Sequence, residues 1–220
     1  MKLRINIPSS LSEITLGQYQ RFIKVAETKD IDQVFLMQKM IQIFCNVDLK
    51  DVHYIKMNTI KRIVKDINKT LSENPTFRQT FRFEGIEYGF IPNLEDLTFG
   101  EYIDLDTTME NWKDMHKAMS ILYRPIEIKQ KDRYTIYEYD GIKNEEVMKR
   151  TPVHLSLGAS VFFYNLRTEL QKAILNYSSK QMENELTFQQ RETLLKNGVG
   201  FSRYIISLKE ILEDLEISPN

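Results

Sequence analysis

TFRQTFRFEGIEYGFI, residues 76–91, is where the apolar spacing of the chain changes from three and four residues to two. Apolar and polar residues alternate on either side of Glu84-Gly85, the pattern of strands with one buried face. A two-residue break containing glycine suits a tight hairpin turn, because glycine takes a positive φ without steric cost. The stretch predicts strands near 78–83 and 86–91. From Thr15 up to this stretch the chain reads as helix, so this change of period is the first sign of an α+β fold and not an all-helical one.

Upstream, Leu16, Tyr19, Phe22, Ile23 and Ala26 recur at helical steps after Thr15. Val34, Met37, Met40, Ile41 and Phe44 define a second helix. A third starts near Asp48 and carries Val52, Ile55, Ile60, Ile63, Val64, Ile67 and Leu71, until Asn74-Pro75 stops it. Downstream of Pro92-Asn93, one long helix is expected from about Phe99 to Tyr123, ended by Arg124-Pro125. RYTIYEYDG, residues 133–141, alternates again, with Ile126 and Ile128 as its candidate pairing partner. Thr151-Pro152 offers an N-cap and a first-turn proline for a helix reaching about Tyr177. Its face is Leu157, Val161, Phe162, Asn165, Leu166, Leu170, Ala173 and Ile174. Shorter helices are expected over 188–196 and 201–215. The class is α+β, mainly α-helical: a helical bundle with a β-hairpin and a second short β-ribbon. Its parts are a helical segment over 1–74, the hairpin and long helix over 75–125, and the ribbon with the C-terminal helices over 126–220, together one compact unit.

Three stretches echo one another: ITLGQY (14–19), LTFGEY (97–102) and LTFQQR (186–191). Each places Thr three residues before Glu or Gln: Thr15 with Gln18, Thr98 with Glu101, Thr187 with Gln190. This is the capping box, in which the hydroxyl accepts an N–H of the first turn and the longer side chain returns to the N-cap N–H. Ile14 with Tyr19, and Leu97 with Tyr102, can add a hydrophobic staple. The echoes therefore mark helix starts rather than a ligand site or a duplicated unit.

The 220 residues hold 30 Lys and Arg against 31 Asp and Glu, a net charge of −1, so no whole-molecule field draws in nucleic acid or an anionic membrane. No apolar run reaches the length of a bilayer span. MKLRINIPSS lacks an apolar core and cleavage site, and reads as a mature, non-secreted start. Cys45 is the only cysteine, which excludes a disulfide within the chain and argues for a buried thiol and a reducing compartment.

Catalytic patterns are thin. Glu101, Asp104, Asp106, Glu110 and Asp114 lack EF-hand spacing and are scattered around a helix by its periodicity, where acids favour the N-terminal end. His53, His116 and His154 each lack a ligand-spaced partner. GVGFSR (198–203) follows a helix and not a strand, so it reads as a C-cap. In SLGAS (156–160), Gly158 reads as a close helix contact. No enzyme, cofactor or metal is expected, nor a specific nucleic-acid-binding signal. Tyr134, Tyr137 and Tyr139 are the best aromatic candidates for an interaction surface, with a half-buried strand as the plainer alternative.

IPNLEDLTFGEYIDLDTTMENWKDMHKAMSILYRPI, residues 91–126, resembles a stretch of tailed-bacteriophage proteins. There an L-T-x-G-E-Y-I-D-L helix start leads through an aromatic-bearing helix to A-x-x-I-L-Y-R-P. It is most similar to virion proteins of crAss-like phages and covers about a sixth of the chain, with ITLGQYQRF in support. The resemblance implies a non-enzymatic virion protein, made in the bacterial host cytoplasm and placed in the capsid or tail interior. Its first implied role is cargo ejected with the genome; the alternatives are a head–tail or tail ring component and a tail assembly chaperone. Implied partners are portal, tail barrel or ring proteins, and further copies of the chain.

Overall fold

The computed structural model of the protein describes residues 5–109, 111–131 and 133–165. Four helices come first: α1 (Leu16–Ala26), α2 (Gln33–Phe44), α3 (Leu49–Val52) and α4 (Met57–Leu71). The expected third helix is thus two. Val52 N–H closes its turn on Asp48, and the chain then turns through 53–56 before α4 starts on Lys56 carbonyl. The apolar spacing continues through the break because Val52 and Ile60 both enter the core (0% and 6% exposed). Periodicity reports burial, and a bent chain can keep it.

The hairpin is present, with β1 (Thr80–Phe83) and β2 (Ile86–Phe90) antiparallel and Phe83 opposite Ile86. Glu84 (φ 48°) and Gly85 (φ 81°) are both left-handed, the geometry a two-residue hairpin turn requires. Phe81 lies opposite Tyr88 and stacks on it at 5.2 Å between ring centroids.

The largest departure follows. The single helix expected over 99–123 is α5 (Phe99–Met109) and α6 (Met115–Leu122), separated by a 3-10 turn at Trp112–Asp114. Asn111 has an extended backbone, and its side chain accepts from Lys113 N–H, restarting the chain. Tyr123 no longer belongs to a helix. It opens β3 (Tyr123–Gln130), which pairs with β2 through Phe90 opposite Tyr123 and Tyr88 opposite Pro125. Pro125 lacks an N–H and so cannot donate to the ladder. β4 (Arg133–Ile136) then pairs with β3, with Ile126 opposite Ile136 and a register shift between Ile126 and Ile128. Hairpin and ribbon are therefore one four-stranded antiparallel sheet in the order β1-β2-β3-β4.

α7 (Glu145–Arg150) leads to residues 153–165, also helical and here called α8. Thr151 does not cap α8 as expected. Its hydroxyl donates back to Met148 carbonyl at 2.7 Å, ending α7. Its backbone joins the start of the chain: Leu16 N–H donates to Thr151 carbonyl (2.9 Å) and Val153 N–H to Ile14 carbonyl (2.8 Å). α8 is buried more widely than its expected stripe. Val153, Leu155, Ser156, Leu157, Ala159 and Ser160 are all at most 3% exposed, whereas Val161 and Phe162 are only partly buried. A helix enclosed on most sides needs small residues, and Gly158 lets the 76–77 backbone pass close by. Phe77, Phe90, Phe162 and Phe163 meet in one aromatic group between α8 and the sheet. The core extends from Leu11 to Phe163, and the fold is α+β and mainly helical. The expected helices over 188–196 and 201–215, and the end of the one starting at Pro152, lie outside the described residues.

Candidate interaction surfaces

Both capping boxes within the described residues are formed. At α1, Thr15 N–H donates to Gln18 Oε1 (2.9 Å) and Gln18 N–H to Thr15 Oγ1 (3.1 Å). At α5, Thr98 N–H donates to Glu101 Oε2 (2.8 Å) and Glu101 N–H to Thr98 Oγ1 (3.3 Å). In each box the side chain at the third helical position has a polar atom left over, and it reaches a distant element. Gln18 Nε2 donates to Ile43 carbonyl at 2.8 Å, near the C-terminus of α2. Glu101 Oε1 instead meets Arg124 Nη1 of β3 at 2.5 Å. The amide suits the carbonyl and the carboxylate suits the guanidinium, which accounts for Gln in one echo and Glu in the other. Thr187 and Gln190 lie outside the described residues.

Glu101 and Arg124 are 4% and 13% exposed at the side chain. Arg124 Nε and Nη1 make no aligned hydrogen bond, so charge proximity and not a bidentate fork holds the pair. Burial pushes the Glu101 carboxyl up, but the Thr98 N–H and hydroxyl and the Arg124 charge outweigh it and hold it below the usual range. The guanidinium also lies over the Tyr139 ring, 5.7 Å from its centroid, and Tyr139 hydroxyl donates to Asp104. Burial and then Asp104 push the Tyr139 phenol well up. α5 is thereby tied to β3 and to the segment after β4.

The tyrosines at 134, 137 and 139 do not form one surface. Tyr134 crosses the sheet and donates to Phe90 carbonyl (2.7 Å), its ring covering Gly89; a Cβ there would lie 2.3 Å from Tyr134 Cε2. Tyr139 serves the Arg124 cluster. Tyr137 alone stays mostly exposed (55%). β4 ends at Ile136, so the alternation that placed Tyr137 and Tyr139 on one face no longer applies to them.

The exposed apolar residues that share a helix face are on α5: Phe99 (80%), Tyr102 (43%) and Ile103 (44%), spaced i, i+3 and i+4. Leu97 is half-buried against the core while Tyr102 turns outward, unlike Ile14 and Tyr19, which are both buried. The sequence spacing places Tyr102 in a staple and on one apolar stripe with Leu105, Met109, Trp112, Met119 and Leu122; those five are buried, but Tyr102 is not. The one signal of the outward stripe was Phe at the first helical position, where an interior helix face is not required.

The remaining candidates serve the fold. Asp104 and Asp114 have separate partners, Asp114 pairing with Lys117 at 2.8 Å, and Glu110 lies outside the described residues. His116 is 6% exposed and accepts at Nδ1 from Gln20 Nε2 (3.0 Å), with Glu145 3.9 Å from its other nitrogen. Burial, then Lys149, lowers its pKa; burial and Arg78 lower that of His154. His53 is exposed. Cys45 is buried, which pushes its thiol up to about 11. Among the described residues no three His, Cys, Asp or Glu lie close enough to hold a metal ion, and no helix is long and apolar enough to cross a membrane. No family model, curated protein or solved structure matches the chain.

Proposed function

We propose that the protein is a non-enzymatic component of a tailed-bacteriophage particle, a cargo protein held in the capsid or tail barrel and ejected with the genome. It acts by docking to other virion proteins. The observation that carries this reading lies in α5, the helix opened by the stretch with the phage resemblance. One side is anchored by the Glu101–Arg124 pair, and another carries Phe99, Tyr102 and Ile103 toward solvent. An anchored helix with an exposed i, i+3, i+4 apolar stripe is the form in which helices meet partner grooves. Exposed apolar residues grouped in this way favour an interaction site over a purely solvated face.

Quantitative mass spectrometry of purified particles before and after DNA release tests the role. Presence at many copies in full particles and loss from emptied ones is the expected result. Retention in emptied particles replaces cargo with a ring component. Absence from particles removes both and leaves an assembly chaperone.

A further inference from the structure

Five cations that are far apart in the sequence line one surface cleft of about 630 Å³: Arg21 and Lys24 of α1, Lys113 of the 3-10 turn, and Lys149 and Arg150 of α7. We propose that this cleft binds an oligophosphate, either free or as the backbone of a single-stranded nucleic acid. The proposal stands apart from the docking role of α5.

The walls are fixed by contacts of uncharged groups. Gln20 Nε2 reaches Trp112 carbonyl (2.8 Å) and Lys113 carbonyl (3.1 Å), setting the spacing between α1 and the turn. A Cβ on Gly17 would lie 3.1 Å from Lys149 carbonyl, so α1 packs directly on the end of α7. The start of α1 and the end of α7 both line the cleft, so their opposite helix-end charges offset and the side-chain cations set the field.

Three of the cations have carboxylate partners. Lys113 is 3.2 Å from Glu27, Lys149 is 2.5 Å from Glu146, and Arg150 meets both oxygens of Glu84 at 3.0 and 2.9 Å. The Lys113 and Lys149 pairs are single, partly exposed contacts, which contribute little; Arg150 is held more firmly, by both Glu84 oxygens and by Nη1 donating to Glu146 carbonyl at 3.3 Å. Arg21 and Lys24 have no carboxylate within ion-pairing distance among the described residues; Arg21 Nε donates only to Gly17 carbonyl, at 3.3 Å. Five cations against three carboxylates make this a local positive site on a protein of net charge −1. Arg21 supplies a planar fork that matches phosphate oxygens, and several adjacent phosphates match cations spread over three elements. No aromatic side chain lines the cleft among the described residues, so the phosphates are recognised and the bases are not.

Equilibrium dialysis of the full chain at low salt, against inorganic tripolyphosphate and separately against a short oligothymidylate, tests the site. The expected result is saturable binding that weakens as salt rises. It should fall at least tenfold in the R21A/K24A double variant. The K61A/K65A variant, which removes the same charge from the exposed face of α4, should bind as the parent does. Tighter binding of the oligothymidylate assigns a nucleic-acid backbone, and tighter binding of tripolyphosphate a free oligophosphate. No binding of either, or equal weakening in both variants while their thermal unfolding matches the parent, overturns the proposal.

Discussion

Arg124 Nη1 lies 2.5 Å from Glu101 Oε1, so the residue that closes the α5 capping box also neutralises the cation at the start of β3. The first turn of α5 and the start of β3, 23 positions apart in the chain, are thereby held together by charge. Removing either partner strands the other in a site with little solvent.

Glu101→Ala should therefore cost about 3 kcal/mol in chemical denaturation, of which the lost cap is about 1 kcal/mol. The E101Q/R124M double variant should recover most of the loss, because no charge is left buried. A single-variant cost below about 1 kcal/mol would show that water already screens the pair.

Gly158 and Gly100 are both helical, yet alanine should act oppositely at the two positions. A Cβ at Gly158 would lie 2.5 Å from the carbonyl oxygen and 2.9 Å from the carbonyl carbon of Thr76, backbone atoms that cannot swing aside. Gly158→Ala should lose about 2 kcal/mol despite its better helix propensity. At Gly100 the nearest atom is Tyr139 Cε1 at 3.9 Å, so Gly100→Ala should gain about 0.5 kcal/mol. Thermal unfolding midpoints that move the same way in both variants would contradict this packing.

His116 and His154 predict the behaviour near neutrality. Both have lowered pKa values in the fold, so the unfolded chain takes up protons first as the pH drops below about 6.5. Where the unfolded state binds more protons, stability rises with pH. The melting temperature should thus be lower at pH 5.5 than at pH 7.5. For His116, Lys149 and Lys117 reinforce burial while Glu145 and Asp114 oppose it. The variant His116→Gln should flatten the profile; an unchanged slope would assign the effect to His154 and Arg78.

Cys45 supplies a probe of opening. It is 7% exposed, and burial pushes its thiol up to about 11. A thiol-reactive dye should label the native protein far more slowly than the denatured chain, because little thiolate exists and access requires local unfolding. Comparable rates in the two states would place Cys45 at the surface.

Local signals carried much of the architecture. The period change at 76–91, the left-handed Glu84-Gly85 turn and the boxes at Thr15 and Thr98 were legible because each depends on residues within a few positions of one another. Gly158 was also readable as a close contact. The break at 111–114 was not: Met109, Trp112, Met115 and Met119 are all buried, so the apolar spacing runs through a 3-10 turn as it would through a helix. Tyr123 was assigned to the helix for the same reason.

By itself, then, the sequence determined an α+β chain, where α1 and α5 begin, and where the first hairpin turns, since steric and capping preferences act over one or two turns of backbone. Only the tertiary structure decided that hairpin and ribbon form one sheet, that Glu101 meets Arg124, that Phe99, Tyr102 and Ile103 face outward together, and that five cations from positions 21 to 150 share a cleft. Each of these joins residues whose proximity comes from packing whole elements, which no local spacing encodes.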